Sequence, residues 1–277
     1  MDIFLGVCVA ACFGSGDFFG GLGSKRLATL AVLALAQACA LAGALVYAFA
    51  FAGDPTTRDL AFGATAGGLN LVGLGLLYHG LATGRMGIVA PITAVVAAII
   101  PVTYGTANGE RPSTLALCGV GCAIVAGGLI AAERGETVGA DIKREALLSV
   151  IAGACFGASF ILYAETTDDS GFWPVLSARG VALPLALLAV LATRTSMRSG
   201  RRELRLALAA GFLDVSATAL LLLAVREGLA SLVAPLAALG PAFTVALAWL
   251  VLKEPIARLQ VVGLVLAFVG LSLIAAG

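Results

Sequence analysis

Ten stretches of roughly 20 mostly apolar residues, separated by short polar breaks, run the length of this 277-residue chain. They lie at about 2–22, 28–52, 60–82, 86–107, 113–132, 146–165, 172–193, 205–225, 229–251 and 256–276. A helix needs about 20 apolar residues to cross the hydrocarbon core of a bilayer. Inside that core only helices and closed barrels can satisfy their own backbone hydrogen bonds. A barrel would show segments of about ten residues with alternating polarity, and this sequence has none. Apolar side chains make up 60% of the chain and charged ones 12%, against about 45–50% and 25% in soluble domains. The expectation is an all-α integral membrane protein with ten transmembrane helices.

The net charge of +1 points neither to nucleic acid nor to an acidic partner. The N-terminal MDIFLGVCVAACFG has no basic lead-in and does not read as a cleavable signal peptide. The longest break, 135–145, carries charges of both signs without apolar periodicity and reads as a linker between residues 1–134 and 146–277. Lys and Arg are distributed unevenly over the breaks. Thirteen fall after stretches one, three, five, seven and nine, and three (Arg58, Arg111, Arg226) on the other side. Basic loops stay in the cytoplasm, which predicts a multi-pass plasma-membrane protein with both termini outside.

The two halves repeat one another. Residues 86–132 lie on 230–276 without a gap at an offset of 144, with 14 of 47 positions identical. Val89-Ala90-Pro91 meets Val233-Ala234-Pro235, and Glu110 meets Glu254. Cys12-Phe13-Gly14 meets Cys155-Phe156-Gly157 at 143, Asn70 meets Asp214 at 144, and Gln37 meets Arg179 at 142. Five spans per unit make the second copy inverted across the membrane. Inverted repeats are a common construction of alternating-access transporters, whose substrate site lies near the midplane between halves.

The paired Val-Ala-Pro starts, the Gly109-Glu110-Arg111-Pro112 and Lys253-Glu254-Pro255 ends and the Phe13-Gly14-Ser15-Gly16-Asp17 segment resemble the drug/metabolite transporter superfamily. The branch is the one with two EamA domains, and the resemblance covers nearly the whole chain. It implies ten helices in two inverted halves and movement of small solutes, often export of amino acids, metabolites or drugs. The chain departs from the pattern in two places. Pro241 stands thirteen residues ahead of Glu254, whereas Ala97 occupies that place in the first half. The counterpart of Ser15–Asp17, Ala158-Ser159-Phe160, lacks an acid.

Ionisable groups within a span are costly and therefore candidates for function. Asp17 either takes up a proton or a substrate amine, or pairs with Lys25 or Arg26. Asp214 is a proton carrier, a cation partner or the structural mate of Arg179. Arg179 either clamps a carboxylate or is structural, the role the family resemblance implies. Asn70 offers a donor and an acceptor to a solute or to another helix. Ser15, Ser159 and Ser216 either line a cavity or pack. Tyr78, Tyr163 and Trp173 stand near span ends and read as interface anchors.

Pro91 and Pro235 each remove a helix hydrogen bond at matching places, as hinges or as ordinary kinks. Glu110 and Glu254 close those helices as gate latches or as solvated charges. No nucleotide-binding motif occurs, so no cofactor is expected, and coupling would come from an ion or solute gradient. One His, six scattered Cys and no clustered carboxylates give neither a metal site nor an intramembrane enzyme. The expected partners are a small-molecule solute and the lipid bilayer, with loops too small to support a dimer outside it.

Overall fold

A computed structural model describes residues 2–51, 53–83, 86–107, 113–132, 140–224, 240–253 and 258–276. The helices run α1 Asp2–Ser24, α2 Thr29–Ala50, α3 Thr57–Thr83, α4 Met86–Ala107, α5 Thr114–Ala132, α6 Ala140–Ala164, α7 Trp173–Ala192, α8 Arg201–Ala224, α9 Gly240–Leu247 and α10 Arg258–Ala276. Among the described residues there is no strand. Five stretches are long and apolar enough to cross a membrane: Thr29–Ala50, Thr57–Thr83, Arg144–Ala164, Trp173–Ala192 and Arg201–Leu223. Large apolar side chains such as Phe49, Leu188, Leu191 and Val265 point outward. Long apolar helices with large apolar side chains facing outward are those of a multi-pass membrane protein.

Three helix starts differ from the sequence expectation. Helix α6 begins at Ala140, inside the stretch 135–145 expected to be linker. Lys143, Arg144 and Glu145 are good helix formers, so charge marks where the lipid ends rather than where the helix ends. Helix α8 likewise begins at Arg201 and α3 at Thr57, ahead of their apolar runs. Helix α9 widens into a π-turn over Ala248–Leu252, and Lys253 caps it in the left-handed region at φ 54°. Pro91 lies in α4 but its side chain is outside the described residues, as are Glu110, Pro235 and Glu254 altogether.

Helix α1 packs on α8, α9 and α3, while α6 packs on α3 and α4. Helix α2 packs on α7 and α8, α7 on α2 and α3, and α5 lies along α10. Small residues permit these contacts, because helices in lipid gain most from close backbone approach. A Cβ at Gly67 on α3 would strike the backbone of Ala178 on α7. One at Gly211 on α8 would strike the backbone of Ala36 on α2.

At one end of the molecule the segment after α2 meets the segment after α6. Asp59, 0% exposed, accepts hydrogen bonds from Thr56 N (2.8 Å) and Thr56 Oγ1 (2.6 Å) in its own helix start. Thr56 Oγ1 accepts in return from Asp59 N at 3.2 Å, a capping box. The same carboxylate accepts from Thr167 N (2.7 Å) and Thr167 Oγ1 (2.9 Å) across the gap. Asp54 N donates to Asp169 O at 2.8 Å, and the exposed Arg58 pairs with Glu165 at 3.1 Å. Gly53 sits so close to Gly171, itself at φ 55°, that a Cβ at Gly53 would enter the Gly171 backbone.

Gly211→Val should lower the melting temperature in detergent sharply, by an overpacking cost of about 1–3 kcal/mol or more. Gly68→Ala, whose Cβ meets nothing within 4 Å, should leave it unchanged or raised.

Candidate functional site

The middle of the helices holds a small set of polar side chains, and Arg179 organises them. It sits in α7 at 1% exposure, so its guanidinium has no water to ionise against. Arginine keeps its proton under all such conditions, and the charge must be met by the protein. Arg179 Nη2 contacts Asp214 Oδ2 on α8 at 2.8 Å. The same nitrogen donates to Thr218 Oγ1 at 3.2 Å, and Nη1 donates to Gln37 Oε1 on α2 at 3.3 Å. Thr218 Oγ1 in turn donates to the Asp214 carbonyl, one turn back, at 2.9 Å. Arg179 Nε is buried and has no partner. The Arg179–Asp214 contact selects ion pairing from the roles open to these residues on sequence alone, and Gln37 and Thr218 complete the ring.

Asp17 enters from α1. The backbones of α1 and α8 approach closely there, since a Cβ at Gly16 would lie 3.6 Å from Asp214 N. This brings the Asp17 carboxylate within electrostatic reach of Asp214. Asp17 is half-buried, and among the described residues no hydrogen bond or ion pair reaches it, from Lys25 or Arg26 or elsewhere. Asp214 is thus matched by Arg179, whereas Asp17, beside Asp214, has no such partner among the described residues.

Two tyrosines correct the sequence expectation. Tyr78 on α3 is 1% exposed and Tyr163 on α6 8% exposed, so neither is an interface anchor. The Tyr78 ring occupies the space left by the missing side chain of Gly20, within electrostatic reach of Asp17, Asp214 and Arg179. Tyr163 lies within reach of Arg179, Asp214 and Asn70. Proximity to a helix end gives depth along the axis but not the direction a side chain faces, and the facing glycine was the available signal for Tyr78. Trp173 stays half-buried and packs edge-on to Phe49 at 5.7 Å.

Asn70 Nδ2 donates to Ser159 Oγ on α6 at 3.4 Å, and Ser159 Oγ donates to Phe156 O at 2.8 Å. Ser216 donates to Phe212 O at 2.7 Å and lies 3.3 Å from the Tyr47 hydroxyl. Ser15 is half-buried on α1, two residues from Asp17. The structure therefore gathers Asp17, Arg179 and Asp214 into one cluster, with Tyr78 and Tyr163 beside it. Asn70 bonds to Ser159 and not to the Tyr163 hydroxyl, which is buried without a hydrogen-bond partner among the described residues.

Residues 143–276 match the EamA-like transporter family. The chain belongs to that family. An uncharacterised protein of Methanocaldococcus jannaschii is 36% identical over 102 residues, 37% of this chain and 73% of that protein. A protein of known crystal structure superposes with a TM-score of 0.66 over 98% of this chain and 94% of its own, at 13% identity. That likeness speaks to fold alone. The cluster thus lies in a membrane protein of a transporter family, on helices α1, α2, α3, α6, α7 and α8.

Breaking a buried ion pair from one side costs about 3–5 kcal/mol, because the remaining charge is left without a partner. Asp214→Asn and Arg179→Gln should each lower the detergent melting temperature strongly. The double substitution Arg179→Met/Asp214→Leu should recover most of that loss, and a double-mutant cycle on unfolding reads the coupling.

Proposed function

We propose that this EamA-like protein is a secondary-active transporter of the plasma membrane. It exports small polar or amphipathic solutes, among them amino acids or drugs, by alternating access. Its ten transmembrane helices form two inverted five-helix units, and Asp17 is the acid that takes up and releases the coupling proton or the substrate ammonium. The observation that carries this reading is the half-buried Asp17, without a counter-ion among the described residues, set beside an Arg179–Asp214 pair whose charges already balance.

Inversion is supported by the pattern of contacts. Exchanging α1 with α6, α2 with α7, α3 with α8, α4 with α9 and α5 with α10 turns α1–α8 into α6–α3 and α1–α9 into α6–α4. It also turns α3–α7 into α8–α2 and leaves α2–α7, α4–α9 and α5–α10 in place. The close approaches follow the same exchange. Gly67 on Ala178 becomes Gly211 on Ala36, at the offsets of 144 and 142 found in the sequence. Gln37 and Arg179, repeat mates, meet directly on the helix pair that maps onto itself. The basic loops assign the ends of α1, α3 and α7 to the cytoplasm. The Asp59–Thr167 contact then lies outside.

A charge in a low-dielectric site is costly unless compensated. Asp17 therefore binds a cation whenever the site is shut off from water and gives it up on opening. Overproduction in bacterial cells should release a chemically coherent set of solutes, and an uncoupler should reduce that release. Asp17→Asn should abolish uphill movement while the inserted amount and melting temperature stay at wild-type values. Identical media for the two strains, together with no saturable counterflow in vesicles, would sink the transporter reading.

A further inference from the structure

The contact between the segments after α2 and α6 has a counterpart in residues at the opposite end of the molecule. At the offset of 144 that lays Gly67 on Gly211 and Asn70 on Asp214, Thr56-Thr57-Arg58-Asp59 falls on Gly200-Arg201-Arg202-Glu203. Each quartet starts a helix, α3 or α8, with its acid at the third helical position. At the offset of 143 that lays Phe13 on Phe156, Thr167 falls on Ser24. An acid and a hydroxyl thus recur at both ends, one on the first turn of a helix and the other where the neighbouring helix stops.

Only one of the two contacts is made. Asp59 accepts from both Thr167 N and Thr167 Oγ1. At the opposite end Ser24 Oγ is buried with no hydrogen-bond partner among the described residues, an expensive condition for a hydroxyl. Glu203 makes no hydrogen bond or ion pair across to α1 among the described residues, and its carboxylate folds back over Gly200 in its own first turn. The two are neighbours all the same. A Cβ at Gly23, next to Ser24, would lie 3.7 Å from Leu206 Cβ, one turn along α8 from Glu203.

We infer that Asp59–Thr167 and Glu203–Ser24 are alternating clasps at the two ends of one molecule, made in opposite states. The present structure is the state with the Asp59 clasp closed. Passage to the other state releases Thr167 from Asp59 and brings the Glu203 carboxylate onto Ser24 Oγ, which donates to it. The two bonds that Thr167 N and Thr167 Oγ1 give up are replaced by water as that end opens, and Ser24 Oγ gains a partner as the other closes, so the net change in hydrogen bonding between states is small. That balance is what two states of comparable population require. The inference rests on alternating access as proposed above and adds the groups that hold each end shut.

The test reads one end while the other is altered. Arg58 Nη2 and Glu165 Oε2 are exposed and 3.1 Å apart beside the Asp59 clasp, so a bifunctional thiol reagent whose spacer replaces the length of the two side chains, bridging Arg58→Cys and Glu165→Cys, reports its closure. The full chain in membrane vesicles is treated with it briefly, and the cross-linked peptide is measured by mass spectrometry. Glu203→Gln and Ser24→Ala, at the far end, should each raise the ratio of cross-linked to free chain, by about fivefold for one net hydrogen bond. Asp59→Asn should lower it by a similar factor.

A ratio that ignores Glu203→Gln and Ser24→Ala overturns the inference and leaves the Asp59 contact a fixed strut, whatever Asp59→Asn does. Counterflow in the same vesicles separates this from the transporter reading. Flux with an unresponsive ratio sinks the clasps alone, and a responsive ratio without flux sinks transport alone.

Discussion

A guanidinium in the middle of an apolar helix leaves a protein very little freedom. Arg179 cannot shed its proton, and at 1% exposure it cannot borrow water. Three helices are therefore committed to it, α7 by carrying it, α8 through Asp214 and Thr218, and α2 through Gln37. Their relative rotation follows from that commitment, since turning any one of them about its axis would strand the charge. Removing the charge from such a place would often gain stability, so stability alone does not account for it. What the pair does in addition is balance the Asp214 carboxylate beside Asp17, which has no such partner among the described residues.

The backbone approaches that flank this cluster have a different origin. Lipid tails are as apolar as leucine, so helices gain little by hiding large side chains from them. They gain by bringing main chains together, and the chain supplies glycine or alanine wherever two helices cross most closely, as at Gly67 with Ala178 and Gly211 with Ala36. Bulky residues are displaced to the outside, where Phe49 and Leu191 are among the most exposed. Small residues thus line the closest crossings, while large ones such as Phe18, Leu77 and Phe172 fill the spaces between helices or, like Phe49, face outward.

Helical class and membrane character were legible in the sequence because they rest on long averages of apolar residues that local detail cannot overturn. The pairing of Arg179 with Asp214 was legible as one of several roles, since a buried charge needs a mate and few were on offer. Gln37 and Thr218 were not identified as its partners, because neutral polar residues in a span do not announce what they bond. Tyr78 and Tyr163 were misjudged because depth along a helix is readable from sequence and azimuth is not when the helix is apolar all round. The start of α6 was placed late because hydropathy sees the edge of the lipid, while the backbone continues into water. The capping box of Thr56 and Asp59 and its hold on Thr167 were not read from the sequence, because only the fold brings Thr167, distant along the chain, to the same carboxylate.

The glycine–alanine crossings have one more effect. Where side chains interdigitate, two helices can shift only by lifting each knob out of its hole and repacking it, and a well-packed core resists continuous deformation for that reason. A crossing of main chain on main chain has no knobs. Where α8 crosses α2, what resists sliding is therefore polar rather than steric: Gln37, next to Ala36, and Asp214, one turn from Gly211, are both held on Arg179.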